Sequence, residues 1–317
     1  LWVFVNDGGR NERARFDWTG FLALATAIIC LQLILDRAER LDWYESKEVI
    51  IETAFGAFAF YVFIFYSLIA RQPLLNPRHL LDRNYALGLL IVFLYGMLNF
   101  TPMVMLPPML KGIAGYPESV IGTLLAGRGS GAVVGFFLAM WIGKLDPRIG
   151  LSIGFSMLAW SGWYMMGFDM NVTAFNVALA STVQGLAVGI LWVPLTVATF
   201  ATIDPRYLAE TMSVFHLLRN IGSSIFISLS VTILIRTSNM NYARFTEFIS
   251  PFNPLLAYPQ NVEKFDIGGI SGLAAISVEL DRQADMIGFL NAFGAFTLAS
   301  IIAVPLVLLV RKPPKSN

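Results

Sequence analysis

Long apolar runs follow one another along almost the whole chain, and short polar segments separate them. Because a helix needs about 20 mostly apolar residues to cross a bilayer, each run is a candidate membrane span. The run FGAFAFYVFIFYSLIA, residues 55–70, is apolar on every side, whereas transmembrane strands alternate apolar and polar residues. The predicted fold class is therefore an all-α membrane helix bundle, with eight spans at 18–35, 49–70, 84–107, 118–142, 149–168, 173–202, 208–236 and 284–310.

The segments between the spans predict the orientation of the chain. They are short except for 237–283, which is predicted to be an extramembrane loop. The loops on one side carry twelve Lys and Arg residues, and the short loops on the other side carry four. The side richer in basic residues is the cytoplasmic one. Residue 1 and the C-terminus are therefore predicted to be cytoplasmic, and the loop 237–283 to face outward.

Residues 1–17 begin with the apolar stretch LWVFV and lack an initiator Met. Such a start differs from a signal peptide, which has a basic leader before its apolar region. We expect this segment to be the end of a preceding span followed by a cytoplasmic loop. The chain is accordingly interpreted as the back portion of a longer protein.

The composition agrees with a membrane location and excludes several kinds of site. Hydrophobic residues make up 56% of the chain and charged residues 14%, against about 25% charged residues in soluble domains. The net charge of +1 gives no reason to expect a nucleic-acid partner. The single Cys30 excludes a disulfide within the chain, and His79 and His216 lie too far apart in sequence to indicate a metal site. No metal or other cofactor is predicted.

The span 118–142 contains LLAGRGSGAVVGFFLAM, in which one arginine lies among glycines. Gly127, Gly131 and Gly135 recur every four residues, the spacing that lets a neighbouring helix approach closely. Arg128 shares a helical face with the last two of them. An arginine at mid-bilayer costs about 2.5–3.5 kcal/mol even on the lenient insertion scale, so its side chain is expected to face protein or a cavity. It either caps carbonyls of a broken neighbouring helix or takes part in substrate or ion handling.

The segment GKLDPR follows this span directly and predicts a tight charged turn. Asp146 is placed to accept hydrogen bonds from Lys144, from Arg148 or from the amino end of the next helix. Gly143 begins the turn.

Two other spans carry isolated amides. Gln184 lies beside Gly185 and four residues before Gly189, and it needs a hydrogen-bond partner in apolar surroundings, either another helix or a ligand. Asn99 and Met103 lie in LYGMLNFTPMVMLPPML, a run rich in aromatic residues and Met. Such adaptable surfaces suit varied lipophilic ligands, although Met is also common in packed cores.

The span 208–236 contains FHLLRNIGSS, with three polar side chains within five residues. Because such residues are costly in a membrane helix, His216, Arg219 and Asn220 are expected to line an interior path or to form a network. His216 is a candidate proton carrier because imidazole titrates near neutral pH, and its alternative role is packing.

These motifs together resemble the fourteen-helix drug:proton antiporters of the major facilitator superfamily, the EmrB/QacA type. The resemblance is carried, in chain order, by RFDWTGFLAL, LLDRNYALGLL, LLAGRGSGAVVG, GKLDPR, VQGLAVGILWVPLT, LLRNIGSS and DRQADMIGFLNAFGAF. It implies that 18–83 is the helix pair inserted between two six-helix halves. It also implies that 84–317 is the second half.

The family's motifs are only partly present. Gly143, Asp146 and Arg148 resemble its gating turn but lack the basic cluster after the glycine. Gln184 and Gly185 resemble its arginine, glutamine and glycine motif without the arginine. The resemblance therefore implies that proton coupling depends mainly on a part of the protein that precedes this chain.

The resemblance implies a proton-driven exporter of lipophilic or cationic small molecules in the bacterial inner membrane. In this hypothesis Arg128 and Arg219 hold an interior charge network that includes Gln184, Asn220 and His216, while Asn99 and Met103 contact the substrate. A periplasmic adaptor and an outer-membrane channel are implied as partners, with the loop 237–283 as a contact. Two alternatives stay open: a metabolite uptake transporter of the same fold, and a non-transporting membrane protein such as an assembly partner or a lipid-modifying enzyme.

Overall fold

The computed structural model describes residues 17–70, 75, 77–142, 146–250, 252–254, 258, 265 and 269–309. These residues form eight long helices and contain no strand. The helices are α1 Trp18–Arg37, α2 Lys47–Ile69, α3 Arg83–Gly112, α4 Glu118–Ile142, α5 Pro147–Met166, α6 Ala174–Phe200, α7 Leu208–Thr246 and α8 Ile270–Leu308. All of them except α5 are long and apolar enough to span a membrane. The predicted all-α membrane bundle is confirmed.

The chain divides into two units between His79 and Leu80, close to the predicted boundary between 83 and 84. In the first unit α1 and α2 pack against each other. Gly56 of α2 lies so close to Cys30 of α1 that an added Cβ atom would be 2.7 Å from the cysteine Cβ. The helices α3 to α8 form the second unit, which contains every predicted site residue.

The six-helix unit has α3 and α6 at its centre. In each of these helices 61% of the apolar window is buried, against 22% in α4 and α7. The helix α4 packs on α6, and α7 packs on α3. The helix α5 lies against α6 and α8, and α8 lies against α3. The contact of α4 with α6 thus matches that of α7 with α3, and the contact of α5 with α6 matches that of α8 with α3.

Aspartates cap α3 and α5 at the end of the bundle where α3, α5 and α7 start. Asp82 Oδ1 accepts from the backbone amide of Tyr85 at 2.8 Å and from the hydroxyl of Thr202 at 2.8 Å. The first bond caps α3, and the second ties α3 to the segment after α6. Tyr85 in turn donates its hydroxyl to the carbonyl of Thr211 on α7 at 3.0 Å. We call this end of the bundle the Asp82 end. Hydrogen bonds there link α3 to α7 and to the segment after α6.

The boundaries predicted for the loop 237–283 are wrong. The helix α7 continues to Thr246 and α8 begins at Ile270, so both run well into the predicted loop. Each has 39 residues and is about 58 Å long at 1.5 Å per residue, roughly twice the thickness of a hydrocarbon core. The extensions form a paired structure, because the hydroxyls of Tyr242 and Ser277 are hydrogen-bonded at 3.0 Å. The predicted spans end where the hydropathy falls, but the hydrogen-bonded helices continue beyond both of these positions.

The helix α3 also continues beyond its predicted end at 107, although Pro102, Pro107 and Pro108 lie inside it. A proline removes one backbone hydrogen bond and disturbs the preceding turn. Prolines are tolerated in membrane helices where neighbouring groups bind the freed carbonyls. The prolines of α3 therefore leave carbonyl groups without an intrahelical donor, and another helix can bind such groups.

The close contact of α4 with α6 gives a test of packing. An added Cβ atom at Gly131 would overlap the carbonyl oxygen of Thr182, whereas one at Gly129 meets open space. Gly131→Val is expected to lower the free energy of unfolding by about 1–3 kcal/mol, because the backbone of α6 must move. Gly129→Val should change it by less than about 0.5 kcal/mol. Detergent-induced unfolding of the purified protein measures both, and equal effects would contradict this packing.

Candidate functional site

The site is built around Arg128 of α4, whose side chain reaches across to α3. Its Nη2 atom donates to both oxygens of Asn99, at 2.7 Å to the backbone carbonyl and 2.6 Å to Oδ1. Asn99 lies three residues before Pro102, in the turn that the proline disturbs. Hydrogen bonds from charged donors are short and strong. The guanidinium group therefore binds α3 about one turn before Pro102 and links α4 to α3.

The other atoms of this guanidinium group are only partly satisfied. Nη1 lies 3.7 Å from the sulfur of Met103, and the buried Nε has no hydrogen-bond partner among the described atoms. Met103 is 51% exposed, whereas Asn99 is buried. Asn99 therefore serves first as the acceptor for Arg128, and Met103 offers the open surface beside it. That either residue contacts substrate stays a prediction.

The backbone at Arg128 is held by a glycine of α6. An added Cβ atom at Gly185 would overlap the carbonyl oxygen of Arg128, so only glycine permits this helix contact. The same contact continues along both helices, with each glycine against the backbone or a hydroxyl of the other helix; the glycines are Gly127, Gly131 and Gly135 on α4 and Gly189 on α6. The structure places all the predicted packing glycines in this one contact.

Arg219 of α7 lies in an equivalent position. An added Cβ atom at Gly96 of α3 would overlap the carbonyl oxygen of Arg219, just as one at Gly185 would overlap that of Arg128. Its side chain crosses to α6, where the guanidinium carbon lies 5.4 Å from the ring centroid of Trp192. That distance is within the range of a cation–π interaction. Nη2 also lies 3.4 Å from Oδ1 of the neighbouring Asn220.

The two arginines form a crossed pair. Arg128 is on the helix that packs on α6 and its side chain contacts α3, while Arg219 is on the helix that packs on α3 and its side chain contacts α6. Both are followed by a glycine three residues later, Gly131 and Gly222, and both glycines lie against the facing helix. This repeated Arg-x-x-Gly spacing was a sequence signal for the pairing that our sequence analysis did not use.

Two aromatic residues that our sequence analysis missed lie between the arginines. Tyr95 of α3 and Trp192 of α6 are in ring contact, with centroids 5.7 Å apart. The imidazole of His216 lies 6.0 Å from the Trp192 ring, and His216 itself is exposed. The site is therefore an aromatic centre with one cation on each side.

Gln184 does not join the arginines. It is only 1% exposed, and its Nε2 atom has no hydrogen-bond partner in the part of the chain that is described. The hydroxyl of Ser181, one turn earlier on α6, is likewise buried and unpartnered there. Buried polar groups of this kind commonly bind an ordered water. Of the two predicted partners for Gln184, no helix supplies one among the described residues.

The predicted gating turn lies at the Asp82 end, away from the arginines. Asp146 accepts from the backbone amide of Arg148 at 3.2 Å and caps α5. Its predicted partner at the amino end of the helix is thus present. Gly143 and Lys144 lie outside the described residues. The gating role of this turn stays a prediction.

The described part of the site carries two positive charges and no negative charge. Among the described residues, no carboxylate lies within 4 Å of the guanidinium groups of Arg128 or Arg219. Their acceptors are a carbonyl, two amide oxygens and an aromatic face. A cation in apolar surroundings is costly without a counter-charge. Among the described residues, the two cations are therefore offset by dipolar groups and an aromatic face alone.

Several relatives of the chain are named as multidrug export proteins. The multidrug export protein EmrB of Escherichia coli K12 is 32% identical over 254 residues, which is 77% of this chain and 48% of that protein. The chain is homologous to the EmrB-type exporters of the major facilitator superfamily. The chain also matches EmrB of Haemophilus influenzae, at 26% identity over 94% of the chain, and the fatty acid resistance protein FarB of Neisseria gonorrhoeae, at 26% over 95%. The predicted resemblance is confirmed.

The chain spans about half the length of these relatives, between 48% and 60%. No protein-family model matches it. Among solved structures, a bacterial homologue of the human lysosomal transporter Spinster, inward-facing and unoccupied, aligns with 94% of this chain and 67% of its own. The TM-score is 0.49 and the identity 16%.

The contact between Arg128 and Asn99 is open to a double-mutant cycle. Arg128→Ala and Asn99→Ala should show a coupling energy of about 0.5–3 kcal/mol in stability, because each removes the same charged hydrogen bond. Arg128→Ala combined with Asn220→Ala should be additive within about 0.5 kcal/mol, because these residues share no hydrogen bond. Detergent-induced unfolding measures the four free energies, and additivity of the first pair would contradict the contact.

Proposed function

We propose that this chain forms one half, with an inserted helix pair, of a proton-driven multidrug exporter in the bacterial inner membrane. The observation that carries the proposal is the crossed pair of arginines beside an exposed wall, without a carboxylate among the described residues. The export function of the named relatives supports export over the alternative of metabolite uptake. It also favours transport over a lipid-modifying enzyme or an assembly partner.

The two guanidinium charges need a counter-charge, and we assign it to a carboxylate of the facing half. While that carboxylate is ionised, it binds the arginines and holds the two halves together. When it takes up a proton, the attraction is lost and the halves can rock apart around the site. The proton gradient would then bias a two-state movement, and Arg128 and Arg219 would sense the protonation state without titrating themselves.

The wall beside the arginines suits lipophilic substrates. The partly exposed side chain of Trp192 and the exposed side chain of Met103 offer aromatic and polarizable surface. An aromatic face also attracts the delocalised cations found among lipophilic compounds. His216, exposed next to Trp192, would extend this wall. Specificity would then depend on shape and polarizability more than on fixed hydrogen bonds.

A periplasmic adaptor and an outer-membrane channel are proposed as partners. The paired extensions of α7 and α8, rather than a flexible loop, would present the contact surface, since both helices are longer than a membrane requires. In this proposal the extensions are periplasmic and the Asp82 end is cytoplasmic, which the distribution of Lys and Arg supports.

The transport role of the arginines is tested in the full-length protein in cells. Arg128→Ala and Arg219→Ala are each expected to reduce efflux about tenfold or more, because each removes a hydrogen-bonding charge at the site. Arg206→Ala is the control, since Arg206 is exposed at the Asp82 end. Efflux of a fluorescent lipophilic dye is measured at matched expression. Normal efflux by Arg128→Ala would refute the proposed role.

The adaptor contact is tested with a photoreactive phenylalanine analogue at two exposed positions of α7. Met240 lies in the extension and is 56% exposed, and Met212 lies near the opposite end and is 43% exposed. Crosslinks to the adaptor are expected from Met240 and not from Met212. Detection with an antibody against the adaptor decides between them. Crosslinks from neither position, in cells whose efflux depends on the adaptor, would contradict this contact surface.

A further inference from the structure

A second cavity lies at the opposite end of the six-helix unit from Asp82, between α3, α7 and α8. Its volume is about 350 Å³, which is within the range of small-molecule pockets. It is separate from the arginine site, because neither Arg128 nor Arg219 lines it. Gly112 forms part of its rim, and an added Cβ atom there would meet nothing within 4 Å. The cavity is therefore open beside this residue.

The lining of the cavity changes from apolar to polar along α7 and α8, while α3 contributes only non-polar residues. Leu234 on α7 and Phe289 on α8 lie at the inner part, nearer the middle of the apolar spans. Asn239 on α7 and Arg282 on α8 lie further toward the helix extensions. A ligand that fills this cavity would place its apolar body toward the membrane interior. Its polar group would point to the extensions.

The charges at the polar part leave one carboxylate without a cation. Arg282 lies 3.3 Å from Glu279 and donates to the carbonyl of Ile113 at 2.7 Å, so its charge is offset and its position fixed. Asp285 accepts only from the hydroxyl of Ser238 among the described residues. No Lys or Arg of the described part of the chain lies within 4 Å of it.

A polar amide completes the arrangement. The side chain of Asn239 is exposed, lines the cavity and makes no hydrogen bond within the described ranges. Its amide oxygen is an acceptor, as is the second oxygen of Asp285. An ammonium group has three donors and no acceptor, so it matches two oxygens and one negative charge. A carboxylate at the edge of an apolar span is costly to keep without such a partner.

We propose that this cavity binds an amphipathic amine, with its ammonium group on Asp285 and Asn239 and its apolar body against Leu234 and Phe289. The chemistry is shared by free amphipathic amines and by the headgroup of an aminophospholipid. The site is distinct from the one proposed for transport. The site is tested by ligand binding alone, so a negative result would not affect the transport proposal.

The test uses the full-length protein in nanodiscs of phosphatidylcholine, with 1-naphthylmethylammonium as the probe and the neutral 1-naphthylmethanol as its matched compound. Equilibrium dialysis, corrected with empty nanodiscs, gives the dissociation constants. The amine is expected to bind about 10- to 100-fold more tightly than the alcohol, as a charged hydrogen bond provides. Equal affinity for the two compounds would overturn the proposal.

Variants assign the binding to the cavity. Asp285→Asn keeps the acceptor for Ser238 and should abolish the preference for the amine. Asp281→Asn, on the exposed side of α8, removes an equal charge outside the cavity and should preserve it. Asn239→Ala removes a side chain without hydrogen bonds in the described structure and should weaken binding several-fold with unchanged folding. Wild-type affinity in Asp285→Asn, or an equal loss in Asp281→Asn, would refute the site.

Phosphatidylethanolamine in the nanodiscs distinguishes the two sources of the ammonium group. Weaker probe binding in its presence, in the wild type and not in Asp285→Asn, assigns the cavity to the lipid headgroup. Unchanged probe binding assigns it to free amines. Both results require the carboxylate of Asp285, and both therefore support the shared chemistry.

Discussion

The structure depends on the direct contact of helix backbones at the two arginines. Gly185 and Gly96 bring α6 and α3 against the carbonyl oxygens of Arg128 and Arg219, where any larger residue would overlap. Without a hydrophobic force between helices in lipid, such close packing is what holds membrane helices together. Since the contact fixes the backbone of each arginine, it also fixes where its long side chain can reach. Packing and the position of charge are thus set by the same glycines.

The crossed arrangement follows from repeating this contact in two triplets of helices. Each outer helix packs on one central helix and sends its arginine to the other, so that Arg128 and Arg219 link α3 with α6 from both sides. Tyr95 and Trp192 fill the space between them. In the proposed mechanism, the facing half binds to this aromatic centre and its paired cations or separates from them.

Much of the fold could be predicted because a helix that spans a lipid bilayer needs a long apolar run in the sequence. All eight predicted spans correspond to helices, and the largest errors are at the ends of α7 and α8, where helices continue as hydropathy falls. The glycines of α4 could be predicted from their spacing. The partner of Arg128 could not, because its contact with Asn99 depends on which helix lies beside α4. Tyr95 and Trp192 were missed because aromatic residues are common in every span.

The two proposed sites carry opposite charges, and this difference affects how a cation could pass through the protein. The arginines would repel a cationic compound unless a carboxylate of the facing half offsets them. Asp285 would attract the same compound at the end of the bundle where the helix extensions begin. A cation would therefore approach the arginines only in the state with an ionised facing carboxylate. Protonation of that carboxylate would make the arginine site unfavourable, while the field of Asp285 would stay unchanged. Proton uptake would thus displace a cation away from the centre.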